Sequence, residues 1–234
     1  MGQIVNIYEI DKTACGITNN CKLVAIHVKI NDLRGLVDSM VKTISDTSWL
    51  KNMDAVDAAS YKARANPTID ELTDNVFKLV NDEITSKIGE YAISMSAQQA
   101  LKNGLEHIAI PLAELWKEKI KGNPGFDFHT LTTSDLIAFG EAKYNVNENA
   151  YYDAILQVED FLKNKKDVME LTDLRRFEIS ETAVLAANMG TRAISIAFLL
   201  IAKNSNTVFK NAVNKLKESS LLSNPEVFVI GVEL

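Results

Sequence analysis

Cysteine, histidine and basic charge are all in short supply in this sequence. Its two cysteines, Cys15 and Cys21, flank a Gly/Asn-rich turn. A disulfide there is geometrically allowed, yet two cysteines in an otherwise intracellular-looking chain do not make a disulfide scaffold. The three histidines, His27, His107 and His129, form no Cys/His cluster with zinc-finger spacing, so structural zinc is not expected. Long apolar runs are missing too. The longest, from Ala193 to Ala202, falls short of the roughly 20 residues that span a bilayer and sits too late for a signal peptide. Met1-Gly2 begins like a myristoylation signal, but Asn6 stands where Ser or Thr is needed. A cytoplasmic protein with no membrane attachment is expected.

Lys and Arg number 25 against 31 Asp and Glu, a net charge of −6. Affinity for a polyanion comes mostly from cationic side chains neutralising phosphates. The balance therefore weighs against a protein that grips nucleic acid unaided through bulk charge. A local basic patch, or a partner that delivers the substrate, remains compatible with it.

What is present is the make-up of a globular protein, with 47% hydrophobic and 24% charged residues in 234. That length suits one domain, or one core with a smaller N-terminal addition. Gln3–Ile10 and Lys22–Ile30 are rich in Val and Ile and read as a strand pair. Leu33–Ile44 has helical spacing, and 45–66 is weakly patterned, a loop with short helical pieces. Pro67, Thr68 and Glu71 look like a capping box that opens a helix carrying Leu72, Val76, Leu79 and Val80. A second long helix is expected over 96–121, kinked or broken at Pro111 and stopped by Gly122-Asn123-Pro124-Gly125. Short strands follow at Phe126–Leu131 and Asp135–Tyr144. Helices over 149–163 and 173–188, a doubly buried strand over Arg192–Ala202, a helix over 206–219 and a strand over Glu226–Val232 complete the chain. The order implies an α/β fold, a mixed central sheet with helices on its faces.

The richest stretch is Gly125-Phe126-Asp127-Phe128-His129 followed by Phe139-Gly140-Glu141-Ala142-Lys143. Residues two apart in a strand share a face, so Glu141 and Lys143 point together, as do Asp127 and His129. A short turn between the strands lets a hairpin gather two carboxylates and an ammonium. Hard cations such as Mg²⁺ take oxygen ligands, often one or two carboxylates, and keep waters for the substrate. A lysine beside them can position or deprotonate water, or neutralise charge on a phosphoryl group. An acid two residues before Lys or Arg arises about three times by chance at this composition, so the spacing alone says little. Its placement in a strand-like run opposite Gly-Phe-Asp is what raises it above a salt-bridged, solvated hairpin face.

The pattern resembles the PD-(D/E)xK nuclease superfamily, with Asp127 as the first acid, Glu141 as the second and Lys143 as the lysine. Gly125-Phe126 stands where the family has Pro. Asp135 shares strand parity with Glu141, but six residues of strand separate them by about 20 Å, so Asp127 is the better match. The resemblance covers roughly residues 106–157. It implies a restriction-endonuclease-like core over 91–234, with 1–90 as an N-terminal strand pair plus helices. It also implies a Mg²⁺- or Mn²⁺-dependent enzyme hydrolysing DNA, with Asp127 and Glu141 as metal ligands. A glutamate from the preceding helix would be Glu106, with Glu114 and Glu118 as alternatives, and a glutamine from the following helix would be Gln157; each reads equally as an ordinary surface residue. Within the superfamily, Gly-Phe-Asp-Phe-His with Phe-Gly-Glu-Ala-Lys-Tyr is similar to the nuclease subunit of Hachiman-type anti-phage systems, which works with a helicase partner. A Mrr-like restriction endonuclease is also similar. A homo-oligomer or another protein partner fits as well, and so does a non-catalytic α/β interaction subunit. His129 is a candidate for supporting the metal ligands from behind, a candidate phosphate contact, or a packing residue. Lys163, Lys165, Lys166, Arg175 and Arg176, on either side of a presumed loop, are candidate phosphate contacts or a solvated turn. No aromatic residues interleave them as in a base-reading surface.

Overall fold

The computed structural model describes residues 3–13, 15–78, 86–117, 125–201 and 204–234. The Val/Ile-rich segments at the start form strands β1 (Gln3–Glu9) and β2 (Lys22–Lys29), paired antiparallel. Further along come β3 (Ile108–Ala109), β4 (Phe128–Leu131), β5 (Ile137–Lys143), β6 (Ala193–Leu199) and β7 (Glu226–Glu233). All seven join one sheet in the order β1-β2-β7-β6-β5-β4-β3. β2, β7, β6 and β5 run parallel to one another; beyond them β4 is antiparallel to β5, and β3 is antiparallel to β4. The expected α/β class with a mixed central sheet is what the chain adopts. Every residue of β6 is buried, as its unbroken apolar run requires.

Alternation along the strands sends side chains to two cores. Phe139, Ile194, Ile196, Phe198, Val227 and Val229 face one side. There they meet helices α5 (Tyr151–Lys163), α6 (Lys166–Leu174), α7 (Glu181–Asn188) and α8 (Ser205–Lys217). Phe128, Ala138, Ala142, Ala197, Phe228 and Ile230 face the other side, covered by α1 (Leu33–Ser45) and α3 (Ser86–Leu105). Helix α2 (Ala55–Lys78) contributes Tyr61 to the first core and Leu72 to the second, and the single turn α4 (Ala113–Trp116) likewise serves both. Residue 90, where two portions of the chain are expected to meet, lies inside α3, and β2 pairs with β7. The N-terminal strand pair and the core therefore share one sheet.

Three expectations are corrected. Residues 45–66 are not a loop: a 3-10 turn (Ser48–Asn52) leads into α2, which passes through Pro67. The Thr68 hydroxyl donates back to the Arg64 carbonyl (3.4 Å) instead of capping a helix start. The Leu79 and Val80 assigned to that helix lie outside the described residues. The helix expected over 96–121 instead begins at Ser86 and ends at Leu105, because Glu106 turns left-handed (φ 59) and Pro111 follows. Its expected tail past Lys117, and the Gly122-Asn123-Pro124 stop, lie outside the described residues. Of the helix expected over 173–188, residues 173–174 are the end of α6, 175–180 are not helical, and α7 begins only at Glu181, with the Ser180 hydroxyl capping it at the Ala183 N–H (3.0 Å). Cys15 and Cys21 are free thiols. Among the described residues no helix is long and apolar enough to cross a membrane.

Candidate active site

The antiparallel register Phe128↔Gly140 and His129↔Phe139 makes β4 and β5 the expected hairpin. Asp127 stands one residue before β4 begins. Its N–H donates to the Gly140 carbonyl (2.9 Å), and its Oδ2 accepts the Ala142 N–H (2.8 Å). The Asp127 side chain thus continues the ladder where the β4 backbone leaves off. On β5, Glu141 and Lys143 share a face, 2.9 Å apart from Oε1 to Nζ. Glu141 is 1% exposed, and its Oε2 has no hydrogen-bond partner among the described residues.

Charge is poorly balanced here. Burial pushes the Asp127 carboxyl up to about 7 against the opposing pull of the Ala142 N–H and Lys143. Parts of the residue meet solvent, but the carboxyl oxygens sit deep among protein atoms. Burial, then the adjacent Asp127, pushes Glu141 well above the usual carboxylate range despite Lys143. For Lys143, burial would lower the pKa, but Glu141, Glu90 and Asp127 outweigh it and hold the side chain as an ammonium.

Glu90 is the residue that sequence reasoning missed. It is the sole acid in α3, and its Oε1 lies 4.0 Å from Lys143 Nζ. Burial raises its pKa, opposed by Lys143 and by the Tyr144 N–H. Gly89 permits this approach, since a Cβ there would fall 2.2 Å from the Tyr144 ring. A lone acid one turn into a helix of small, weakly polar residues was the available signal. Tyr91 follows it. Burial, then a hydrogen bond to Glu114, raises its pKa, with Asp127 adding to the effect. Glu114 is thus connected to the site through a tyrosine.

The other auxiliary candidates fare differently. Glu106 is exposed at the far end of α3, 16 residues or about 24 Å of helix from Glu90, so it is not brought to the site. Glu118 lies outside the described residues. Gln157 is half-buried on α5 and makes no hydrogen bond or ion pair to Asp127, Glu141 or Lys143 among the described residues. Asp135 sits in the β4–β5 turn in a left-handed conformation and accepts the Ser180 hydroxyl (2.7 Å), at the opposite end of the hairpin. His129 is fully buried among Trp116, Phe126 and Phe139, with Nε2 2.7 Å from Glu170 Oε2. That burial rules out a phosphate contact.

Lys163 and Lys165 are exposed where α5 gives way to α6, and Lys166 opens α6. Arg175 and Arg176 lie past its other end, with Arg176 paired to Asp57 at 2.7 Å. A nine-residue helix, about 13 Å long, separates the two groups, not a loop.

As for metal binding, among the described residues no three His, Cys, Asp or Glu side chains form a ready-made ligand shell. Two hard oxygen donors, Asp127 and Glu141, are present, one of them with an orphan oxygen. This donor set fits a divalent cation whose remaining ligands come from water or substrate. No model of a known protein family matches the chain, and no curated protein matches it.

Proposed function

We propose that this chain is a metal-dependent nuclease of the PD-(D/E)xK kind, with a restriction-endonuclease-like core, hydrolysing DNA phosphodiester bonds in anti-phage defence or restriction. The observation that carries the reading is the buried, unpartnered Oε2 of Glu141 beside Asp127, on a strand that also presents Lys143. Folding leaves such a group unsatisfied at a cost of about 1–3 kcal/mol, which a ligand of opposite charge would recover.

Asp127 and Glu141 would hold the ion, with Mg²⁺ or Mn²⁺ the fitting choices for an oxygen donor set. When bound, it would polarise the scissile phosphate and lower the pKa of a coordinated water. The residues of the chain supply the rest. The Ala142 N–H orients the Asp127 carboxylate, and Glu141 is oriented by Lys143. Hydrolysis joins a water oxygen to phosphorus and releases one sugar oxygen, spreading negative charge over the phosphoryl oxygens. Lys143, held as an ammonium by three carboxylates, is suited to stabilise that charge, more than to accept the water's proton.

A net charge of −6 supports delivery of DNA by a partner, a helicase or other subunit, or by further copies of the chain. Val168 and Met169 on α6, Leu185 on α7 and Met189 just past its end leave apolar surface exposed, as a docking face would. A cytoplasmic location accords with this. The same exposed apolar surface would serve the second reading, a non-catalytic α/β interaction subunit.

Incubation with plasmid and linear DNA in Mg²⁺ or Mn²⁺ separates the two. Cleavage by the wild type is expected to fall at least about 10³-fold in Glu141→Gln and about 10²-fold in Lys143→Met. Cleavage that survives both substitutions sinks the site. Calorimetric titration with Mn²⁺ decides the case of a silent wild type, since an interaction subunit binds no ion at Asp127 and Glu141.

A further inference from the structure

The backbone of Phe126, the residue immediately before Asp127, is held at both its N–H and its carbonyl. Glu170 Oε1 accepts the Phe126 N–H (3.0 Å), while Lys117 Nζ donates to the Phe126 carbonyl (2.5 Å). Lys117 and Glu170 are themselves ion-paired at 2.5 Å. The second oxygen of Glu170 bonds His129, two residues beyond Asp127. One buried carboxylate therefore fixes the chain on either side of Asp127. Both jaws come from outside the hairpin, Lys117 from the end of α4 and Glu170 from α6. The close fit explains Gly125: a Cβ there would fall 2.2 Å from Glu170 Oε1 and 2.8 Å from Lys117 Nζ.

We propose that Glu170 and Lys117 are positioning residues that clamp the Phe126 backbone and so set where the Asp127 carboxylate points. The proposal rests on the reading of Asp127 as an ion-holding side chain. A buried ion pair is a poor stabilising device, because well-packed apolar side chains of similar volume often do as well or better. It is a good orienting device, because it fixes the N–H and the carbonyl of one residue, and with them the two successive peptide groups that lead into Asp127, and site geometry must be kept to about 0.5 Å. From Phe126 the constraint passes to Asp127 and on to the Ala142 N–H that Asp127 accepts.

The Ala142 amide gives a direct readout in metal-free protein, since its partner is the Asp127 carboxylate and not a strand backbone. In Glu170→Gln and Gly125→Ala its hydrogen exchange is expected to quicken about tenfold, while the Ile196 and Val229 amides of β6 and β7 stay within about twofold. Lys117→Arg, which keeps the cation, leaves Ala142 protected. Lys117→Met reads the clamp from its other jaw and decides the matter if Glu170→Gln fails to fold. Mn²⁺ titration of the same proteins should show half-saturation raised about tenfold in Glu170→Gln. Unchanged Ala142 exchange, or a rise shared equally by Ile196 and Val229, overturns the clamp. A wild type that binds no Mn²⁺ through Asp127 overturns the nuclease reading instead, and the exchange measurement still decides the clamp.

Discussion

Glu141 and Glu170 are both glutamates almost closed off from solvent, 1% and 7% exposed, and both serve the β4–β5 hairpin. Their surroundings differ in kind. Glu170 has a cation, a histidine and a backbone N–H for its two oxygens. Burial acts to raise its pKa, but His129 and Lys117 outweigh it and hold the carboxyl below the usual range. Burial depresses His129 itself, so the Lys117 ammonium carries the pairing. Glu141 has one shared lysine, a second carboxyl alongside and one oxygen with no partner, and its pKa moves the other way. Satisfied buried charge marks architecture. An unsatisfied buried carboxyl, on the hairpin that Glu170 braces from α6, is the usual mark of a functional site.

The largest effect should come from stability measured in EDTA. Glu170→Ala leaves the Lys117 ammonium, now unpaired, against the core and is expected to cost about 3–5 kcal/mol, a fall in Tm of about 10 °C for a chain of this size. Above neutral pH, where ionising the raised Glu141 carboxyl works against the folded state, Glu141→Gln should raise stability by about 1 kcal/mol. Urea melts giving the same sign for both substitutions break the comparison.

Acid–base behaviour sharpens it. The folded pKa of Asp127 is raised from 3.8 to about 7, so the folded state holds a proton that the unfolded state releases. The stability tied to that proton is fully present below about pH 4 and is lost as pH rises through 7. Glu170, depressed, works in the opposite sense: its contribution is present above its ordinary pKa of 4.5 and is lost as pH falls below it. The buried His107 and His129, whose pKa values burial lowers, gain stability as pH rises over the same range, so the Asp127 contribution shows as a difference between wild type and variant. In metal-free protein the wild type should lose Tm relative to Asp127→Asn between pH 5 and pH 7, and excess Mg²⁺ should shrink that loss. A difference that stays flat over that window in EDTA contradicts the Asp127 assignment.

The smallest effect concerns the basic side chains around α6. If Lys163, Lys165 and Arg175 touch phosphates, each alanine variant should reduce the slope of log affinity against log salt by about 1. Arg176, already paired with Asp57, should matter less. DNA-binding isotherms at several salt concentrations give the slopes.

Much of this was legible in the residues. The runs of Val and Ile marked β2, β6 and β7 because doubly buried strands have no polar face to confuse the pattern. Asp127, Glu141 and Lys143 were legible because strand parity and a short turn fix their neighbours within 17 residues. Glu90 was not, because α3 buries Ala92, Ser94, Ser96 and Ala97 as well as its larger residues, so polarity no longer tracks exposure along it. Pro67 misled for a different reason. A proline usually begins a helix, but packing on both sides lets α2 run through it. Lys117 and Glu170 look like any helical surface charges until the fold brings them 2.5 Å apart.

The pairing of β2 with β7 has a consequence for how the molecule is made. His27 and Glu233 bond across 206 residues of chain, and the early β1–β2 hairpin has no other sheet neighbour to rest on. As the chain emerges from the ribosome, that hairpin must wait, its Leu23–Ile26 edge uncovered, until β7 is synthesised. Such long-range closure makes folding slow and exposes sticky strand edges in the interval. Asp127, Glu141 and Lys143 therefore cannot come to lie in a finished sheet until translation has passed β7.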